Sequence, residues 1–381
     1  MNNRIQLAAV VGSVVIFTGC QAVGATVFDG TTQRYYIAAD EVVWDYASTR
    51  QDLTTGEEFD PFVAETWVNP GPGRIGTKYK KALYREYTDE TFTTLKPRAP
   101  EWEHLGFLGP LIRAEVGDTI EVLFKNNVSF PASMHPHGVF YNKDSEGAPT
   151  KDDTPGSDKA DDAVPPGGTH TYVWPVPARA GPAENDANSV FWMYHSHTNE
   201  DKDVNAGLMG PMIVTADGAT QPDGRPAGVD REFIVSFHEV DENVSWYLED
   251  NILAYTLDPA SVDREEILFF TPFGLSNFRE SMNGFSFGHL KGLEMRQGER
   301  VRWYLMASTN FEVHAPHWHG NTVVMNGMRT DVTDLQTMAM QVATMVPDNP
   351  GTWLFHCHVR DHLIGGMTSL YTVLPVEVSS R

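Results

Sequence analysis

Cys357 stands between two histidines in His356-Cys357-His358, and His362 and Met367 follow within ten residues of it. At these spacings a thiolate, an imidazole and a weak thioether can converge on one ion, and a second imidazole would complete a blue-copper electron-transfer centre. Read as a strand from Gly351 running into a tight loop, the stretch sends His356 and His358 to one face of a sheet and Cys357 to the other. The two histidines, roughly 6 to 7 Å apart along the strand, are then placed to ligate a separate cluster behind the cysteine. The alternative is a buried cysteine between two core histidines; four ligand types in one order argue against it.

His-X-His occurs four times, as His135/His137, His195/His197, His317/His319 and His356/His358. On strands each pair points one way, and neutral imidazole suits copper because it fixes geometry without adding charge. Eight imidazoles facing one interdomain cleft suit a cluster of three coppers. His314 supplies the blue centre's second imidazole, which leaves His104, His170, His238 and His289 for surface or core roles.

The elements that must position these groups come as a repeat. The turn and alternating strand Gly117-Asp118-Thr119-Ile120-Glu121-Val122-Leu123-Phe124 returns 181 residues later as Gly298-Glu299-Arg300-Val301-Arg302-Trp303-Tyr304-Leu305. His135-Pro136-His137-Gly138 returns after 182 residues as His317-Trp318-His319-Gly320, and the segment around His195-Ser196-His197 after 161 as that around His356-Cys357-His358. The shorter last offset places about 20 extra residues in the first copy, in the acidic loop from Tyr141 to Gly168. Two copies of one β-sandwich follow, at 28–216 and 231–381, joined by a Gly- and Pro-containing linker at 217–230. Tyr35 to Trp44 is a β-rich opening, whereas residues 48–100, rich in Thr, Gly, Pro and charge, read as a long embellished loop. Opposite His314, Cys357 and Met367 the first copy has Ala132, Ser196 and Leu208, and His362 falls near Asp201 to Asp203, so only the second copy can host the blue centre.

With 51 acidic against 28 basic residues, the formal charge of -23 excludes the cationic footprint that nucleic acid requires. Cys20 and Cys357 are the two cysteines, so a copper-bound Cys357 leaves no intramolecular disulfide. Residues 1–19, with Arg4, an apolar run from Ile5 to Phe17 and Thr18-Gly19 before Cys20, read as a secretion signal too short for a membrane span. Lipoprotein-type cleavage would leave a lipidated Cys20 as the first mature residue and the protein membrane-anchored; ordinary cleavage near Ala25 is the alternative. Either way the chain is exported, to the periplasm or beyond the cell.

The segments from His314 to Gly320 and from His356 to His362 resemble those of multicopper oxidases. Leu105-Gly106-Phe107-Leu108-Gly109-Pro110 and the stretch from His135 to Ala148 are similar to ceruloplasmin and hephaestin, and the whole resembles two-domain members with laccase activity. The resemblance implies an all-β fold of two cupredoxin-like Greek-key β-sandwich domains in tandem. It implies four coppers per chain: type 1 on His314, Cys357, His362 and axial Met367; type 2 on His135 and His317; and a type 3 pair on His137, His195, His197, His319, His356 and His358. Electrons pass from Cys357 through His356 and His358, and dioxygen is reduced to water. It further implies a homotrimer, with each cluster between the first domain of one subunit and the second of its neighbour.

Ceruloplasmin-like ferroxidases hold iron beside type 1 copper with a Glu, a His and an Asp. Here Asp361 matches the Asp, Glu280 stands where the His belongs and Leu275 where the Glu belongs. Laccase-like oxidation of phenols or aromatic amines is therefore the leading expectation, and oxidation of ferrous or cuprous ion the alternative. A copper nitrite reductase would carry its blue centre in the first domain and lack the four complete pairs; a non-enzymatic cupredoxin would tolerate losses among them. Lys143, through its carbonyl, with Asp158, Asp161 and Asp162 falls where ceruloplasmin-like first domains bind calcium. Met325, Met328, Met338, Met340 and Met345 either collect cuprous ion or pack a core, and packing is the expected role.

Overall fold

The computed structural model describes residues 30–265, 271–308 and 313–376. The expected secretion signal at 1–19, Cys20 and Ala25 lie outside the described residues. Among those described, no helix is long and apolar enough to cross a membrane.

Four large sheets form two sandwiches. In the first, Thr32–Asp45 pairs antiparallel with Lys78–Glu86 and parallel with Thr119–Asn126, which pairs in turn with Thr169–Pro175. The facing sheet runs Ile112–Glu115, Met209–Thr215, Ser189–His195, His135–Pro136. In the second sandwich Arg231–Asp241 and Val301–Ser308 reproduce the parallel pairing, and Glu294–Arg296, Thr368–Leu374, Gly351–Cys357 and Pro316–Trp318 form the facing sheet. The fold is all-β, and the repeat seen in the sequence is a repeat of strand order.

Residues 48–100 are not loop throughout. Lys78–Glu86 is a full strand, with Ala82 and Tyr84 in the first core while Tyr79 and Leu83 face the other way, into the seam between sandwiches. Lys78, Lys80, Lys81 and Arg85 obscure that alternation in the sequence. Lys81 is itself fully buried against Glu242 at 2.6 Å.

Period-two alternation also explains how the sandwiches join. Along Val301–Ser308 every residue is buried: Val301, Trp303, Leu305 and Ala307 fill the second core, while Tyr304 and Met306 enter the seam. Phe191 and Met193, Met209 and Ile213, and Ile234 and Val240 do the same from their strands. A seam of this kind is a third hydrophobic core, held also by Tyr46 and Lys81 on Glu242 and by Arg113 on Glu232. His104 lies in it, its Nδ1 against Glu101 O at 2.8 Å and its Nε2 accepting the Ile234 N–H at 3.1 Å.

Candidate metal centres

Each His-X-His pair comes from a strand end, and cross-strand register brings two pairs together. In the second sandwich His317 sits opposite His356 and Pro316 opposite Cys357; in the first, His135 sits opposite His195. The glycine after each leading pair, Gly138 and Gly320, has φ of 79° and 73°, and a Cβ there would overlap Trp192 or Trp353 of the neighbouring strand. The indole thus seats the histidine-bearing turn against its sheet in both copies.

On the core side of Gly351–Cys357, three predicted ligands converge. Cys357 Sγ lies 3.3 Å from His362 Nδ1 and 3.9 Å from His314 Nδ1, and the two imidazole nitrogens are 3.1 Å apart. His362 is carried by the short helix Arg360–Gly365, which ends on left-handed Gly366. Met367 follows fully buried, donating its N–H to His362 O and accepting the Cys357 N–H at 3.1 Å. Ala315 N–H points at the sulfur from 3.3 Å. Burial, and secondarily the His362 imidazole, pushes His314 down to about 3. It is therefore a neutral donor across the physiological range, as a copper ligand must be.

On the other side stand His317, His319, His356 and His358. His356 Nε2 is 3.2 Å from both His317 Nδ1 and His319 Nε2, and His358 stacks on His317 with centroids 5.0 Å apart. In the first sandwich His137 Nε2 and His195 Nε2 are 3.1 Å apart, and His135 and His197 close the group with centroids at 5.2 Å. Nδ1 of His135, His195 and His356 each faces a backbone carbonyl, of Glu146, Ser196 and Cys357 respectively. A Nδ1–H donated there leaves Nε2 with its lone pair toward the other rings. Burial, then neighbouring imidazoles, lowers His137 to about 4 and takes His195 well below the usual histidine range. Burial lowers His356 to about 4 as well, against the hydrogen bond to Cys357 O that favours the protonated form. Neutral rings with converging lone pairs fit a soft or borderline metal ion.

Ring contacts gather the eight imidazoles into two quartets, one in each sandwich. No ring contact among the described residues joins one quartet to the other. Carboxylates rim them: Glu200 Oε2 lies 3.3 Å from His197 Nε2, and Asp331 Oδ2 3.8 Å from His317 Nε2. Of the other histidines, His238 and His289 are buried and His170 rests on Asp144 O at 2.7 Å.

Beside His362 a cavity of about 330 Å³ is lined by Phe62, Trp67, Leu275, Phe278 and Ile364 together with Glu239, Glu280 and Asp361. Glu280 is buried, and Asp361 is exposed. Glu239 was not among the expected residues. It is the cross-strand partner of Glu280, and it continues the inward register of Phe233, Val235 and Phe237, where a glutamate breaks an apolar alternation. That break was the available signal.

In the acidic loop, Asp161 and Asp162 are buried and burial raises both; Asp161 further raises Asp162. Asp161 Oδ2 accepts the Gly147 N–H at 2.6 Å and its Oδ1 has no hydrogen-bond partner among the described residues. The ammonium of Lys143 pairs with Glu146 and Asp152, and Lys159 lies 3.7 Å from Asp162. Asp158 is half-buried and accepts from Ser157 at 3.3 Å. The methionines do not gather: Met325 and Met345 fill the second core, Met338 and Met340 pack against the seam, and Met328 is 70% exposed.

Residues 105–219 and 263–377 each match a family model described as multicopper oxidase. Ferroxidase HEPHL1 of Mus musculus is 45% identical over 345 residues, 90% of this chain and 29% of that protein. Hephaestin of Homo sapiens is 42% identical over 91% of this chain and 30% of its own length, and ceruloplasmin of Rattus norvegicus 42% identical over 91% and 32%. The chain thus spans about 30% of the length of these relatives. Among solved structures, multicopper oxidase mgLAC superimposes with a TM-score of 0.56 at 20% identity, covering 92% of this chain and 89% of that one. A blue copper oxidase from Nitrosomonas europaea gives 0.55 at 18% identity, covering 92% and 87%; both likenesses establish the cupredoxin-like fold.

Proposed function

The chain belongs to the multicopper oxidases, and from that premise we propose that it takes single electrons from a small reductant, ferrous iron foremost, and delivers them to dioxygen. The observation that carries this is the end of Gly351–Cys357, where one strand presents Cys357 to a three-donor site and the adjoining His356 and His358 to an imidazole quartet. His314, Cys357, His362 and Met367 would hold the type 1 copper, His135 and His317 the type 2, and His137, His195, His197, His319, His356 and His358 the type 3 pair. When bound, copper supplies one-electron redox chemistry at the first site and dioxygen reduction at the second. The protein contributes a covalent path from Cys357 to either neighbouring histidine, neutral imidazoles with fixed tautomers, and a hydrophobic core that keeps water from the thiolate.

Two features favour ferrous iron over phenols as the reductant. The relatives include proteins named as ferroxidases, and Glu239 supplies a third carboxylate beside His362 where Leu275 supplies none. Carboxylate oxygens suit a hard cation held against the imidazole that takes its electron. The aromatic wall of Phe62, Trp67 and Phe278 favours a second reading, oxidation of a phenol or aromatic amine in the same cavity. Cuprous ion is a poorer fit to oxygen donors. Oxygen uptake with ferrous iron against a phenolic dye, on wild type and Glu239→Gln, separates the two; equal loss for both donors, or none for iron, rejects the ferrous reading.

Two quartets with no ring contact between them among the described residues support assembly of complete clusters between copies, in a homotrimer. A monomeric mass in light scattering with full copper and activity rejects it. Orphaned Asp161 Oδ1 supports calcium in the first domain, held with Asp162, Asp158 and Lys143 O. The leader supports export with a lipid anchor at Cys20.

A further inference from the structure

The first sandwich keeps the frame of the thiolate site and fills it with a carboxylate. Ser196 N–H donates to Leu208 O at 3.0 Å where Cys357 N–H donates to Met367 O at 3.1 Å. Leu208 N–H reaches Asp203 O at 3.0 Å where Met367 N–H reaches His362 O at 2.9 Å. Left-handed Gly207 ends the helix Glu200–Ala206 as Gly366 ends Arg360–Gly365. Ser133 N–H donates to Ser196 Oγ at 3.0 Å where Ala315 N–H points at Cys357 Sγ. Ser196 therefore stands for Cys357 and Asp203 for His362.

Asp203 is fully buried and surrounded by donors. Its Oδ2 accepts from Ser196 Oγ at 2.6 Å and from Asn199 N–H at 2.9 Å; its Oδ1 accepts the indole N–H of Trp246 at 2.8 Å, delivered from beyond the linker. Trp246 stacks on Phe130 with centroids 4.9 Å apart, which fixes the indole. The chain of bonds continues to the histidines: Ser196 lies between His195 and His197, and Ser133, bonded to Ser196, accepts the His197 N–H on its own Oγ at 3.0 Å.

We propose that Asp203 is a positioning residue for the first histidine quartet, setting His195 and His197 through Ser196 and Ser133 and making their placement depend on the seating of Trp246. It rests on the copper reading above. A carboxylate is required because both of its oxygens accept; an asparagine amide must turn its NH₂ toward either Trp246 or the Ser196–Asn199 pair.

The test uses copper-loaded, full-length Asp203→Asn, Ser196→Ala and Trp246→Phe, with circular dichroism as a folding control. Copper release to a chelator is followed separately by the blue thiolate absorption and by the paramagnetic and near-ultraviolet signals of histidine-bound copper. Asp203→Asn and Ser196→Ala are expected to leave the blue absorption intact while histidine-bound copper is lost about 10- to 100-fold more readily, with Trp246→Phe showing a smaller loss of the same kind. Wild-type retention in both Asp203→Asn and Ser196→Ala, or parallel loss of blue and histidine-bound copper, overturns the proposal. Should Asp203→Asn not fold, Ser196→Ala decides alone. A wild type that binds no copper would instead defeat the reading on which this rests.

Discussion

At the end of Ser189–His195 and at the end of Gly351–Cys357 the molecule solves one folding problem twice and does different chemistry with the result. Strand, short helix, left-handed glycine and returning strand are the same, and so are the backbone hydrogen bonds across them. The second copy places Cys357, His362, His314 and Met367 inside this frame; the first places Ser196, Asp203, Ala132 and Leu208. Scaffold and site are thus separable: the frame holds its shape whether a soft-donor set or a hydrogen-bonded carboxylate fills it. Histidines outside the frame are retained in both copies.

The comparison breaks most visibly at the thiolate. Cys357→Ser gives the second copy the first copy's residue; the blue absorption should vanish and oxygen uptake fall to that of copper-free protein, as visible spectra and an oxygen electrode will show. Next, His137→Ala in the first copy and His319→Ala in the second should behave alike: blue absorption retained, oxygen uptake abolished. A variant that still consumes oxygen would show that its quartet is dispensable.

Smaller effects sharpen the contrast. The carboxylate-lined cavity belongs to the second copy, so Glu239→Gln should raise KM for ferrous iron about tenfold, the equivalent of about 1.4 kcal/mol, with kcat and phenol turnover little changed in steady-state assays. His104, in the seam, has its pKa lowered to about 4 by burial from an unfolded 6.5. Unfolding then takes up a proton, so its contribution is constant above pH 6.5, is lost as pH falls toward about 4 and levels below that. The loss is about 3 kcal/mol, and His104→Gln should flatten that part of the denaturation profile. Calcium should raise the melting temperature of wild type by a few degrees and leave Asp161→Asn unaffected, since only the first copy has the loop.

Much of this was legible in the sequence because ligand chemistry is written in residue types. His-X-His and Cys357 with His362 and Met367 need no tertiary context to be recognised, and the repeat offsets placed the strands. The Lys78–Glu86 strand was hidden because its lysines mask the alternation, and one of them, Lys81, reaches a buried partner across the seam, Glu242, which local alternation does not encode. Glu239 was hidden for a related reason: it meets Glu280 by cross-strand register and not by spacing along the chain. Division of the eight imidazoles into two quartets follows from cross-strand register within each sandwich, His135 opposite His195 and His317 opposite His356, which spacing along the chain does not encode.

The seam residues govern what can be done with the chain as a piece of engineering. Met209–Thr215 and Val301–Ser308 are buried along their whole length. A cut between 217 and 230 would leave each half with a greasy sheet against water. The blue-copper half cannot therefore be lifted out as a small electron carrier, nor exchanged for an unrelated cupredoxin, unless the recipient brings a matching surface. What looks like a string of interchangeable beads is, at this joint, a single casting.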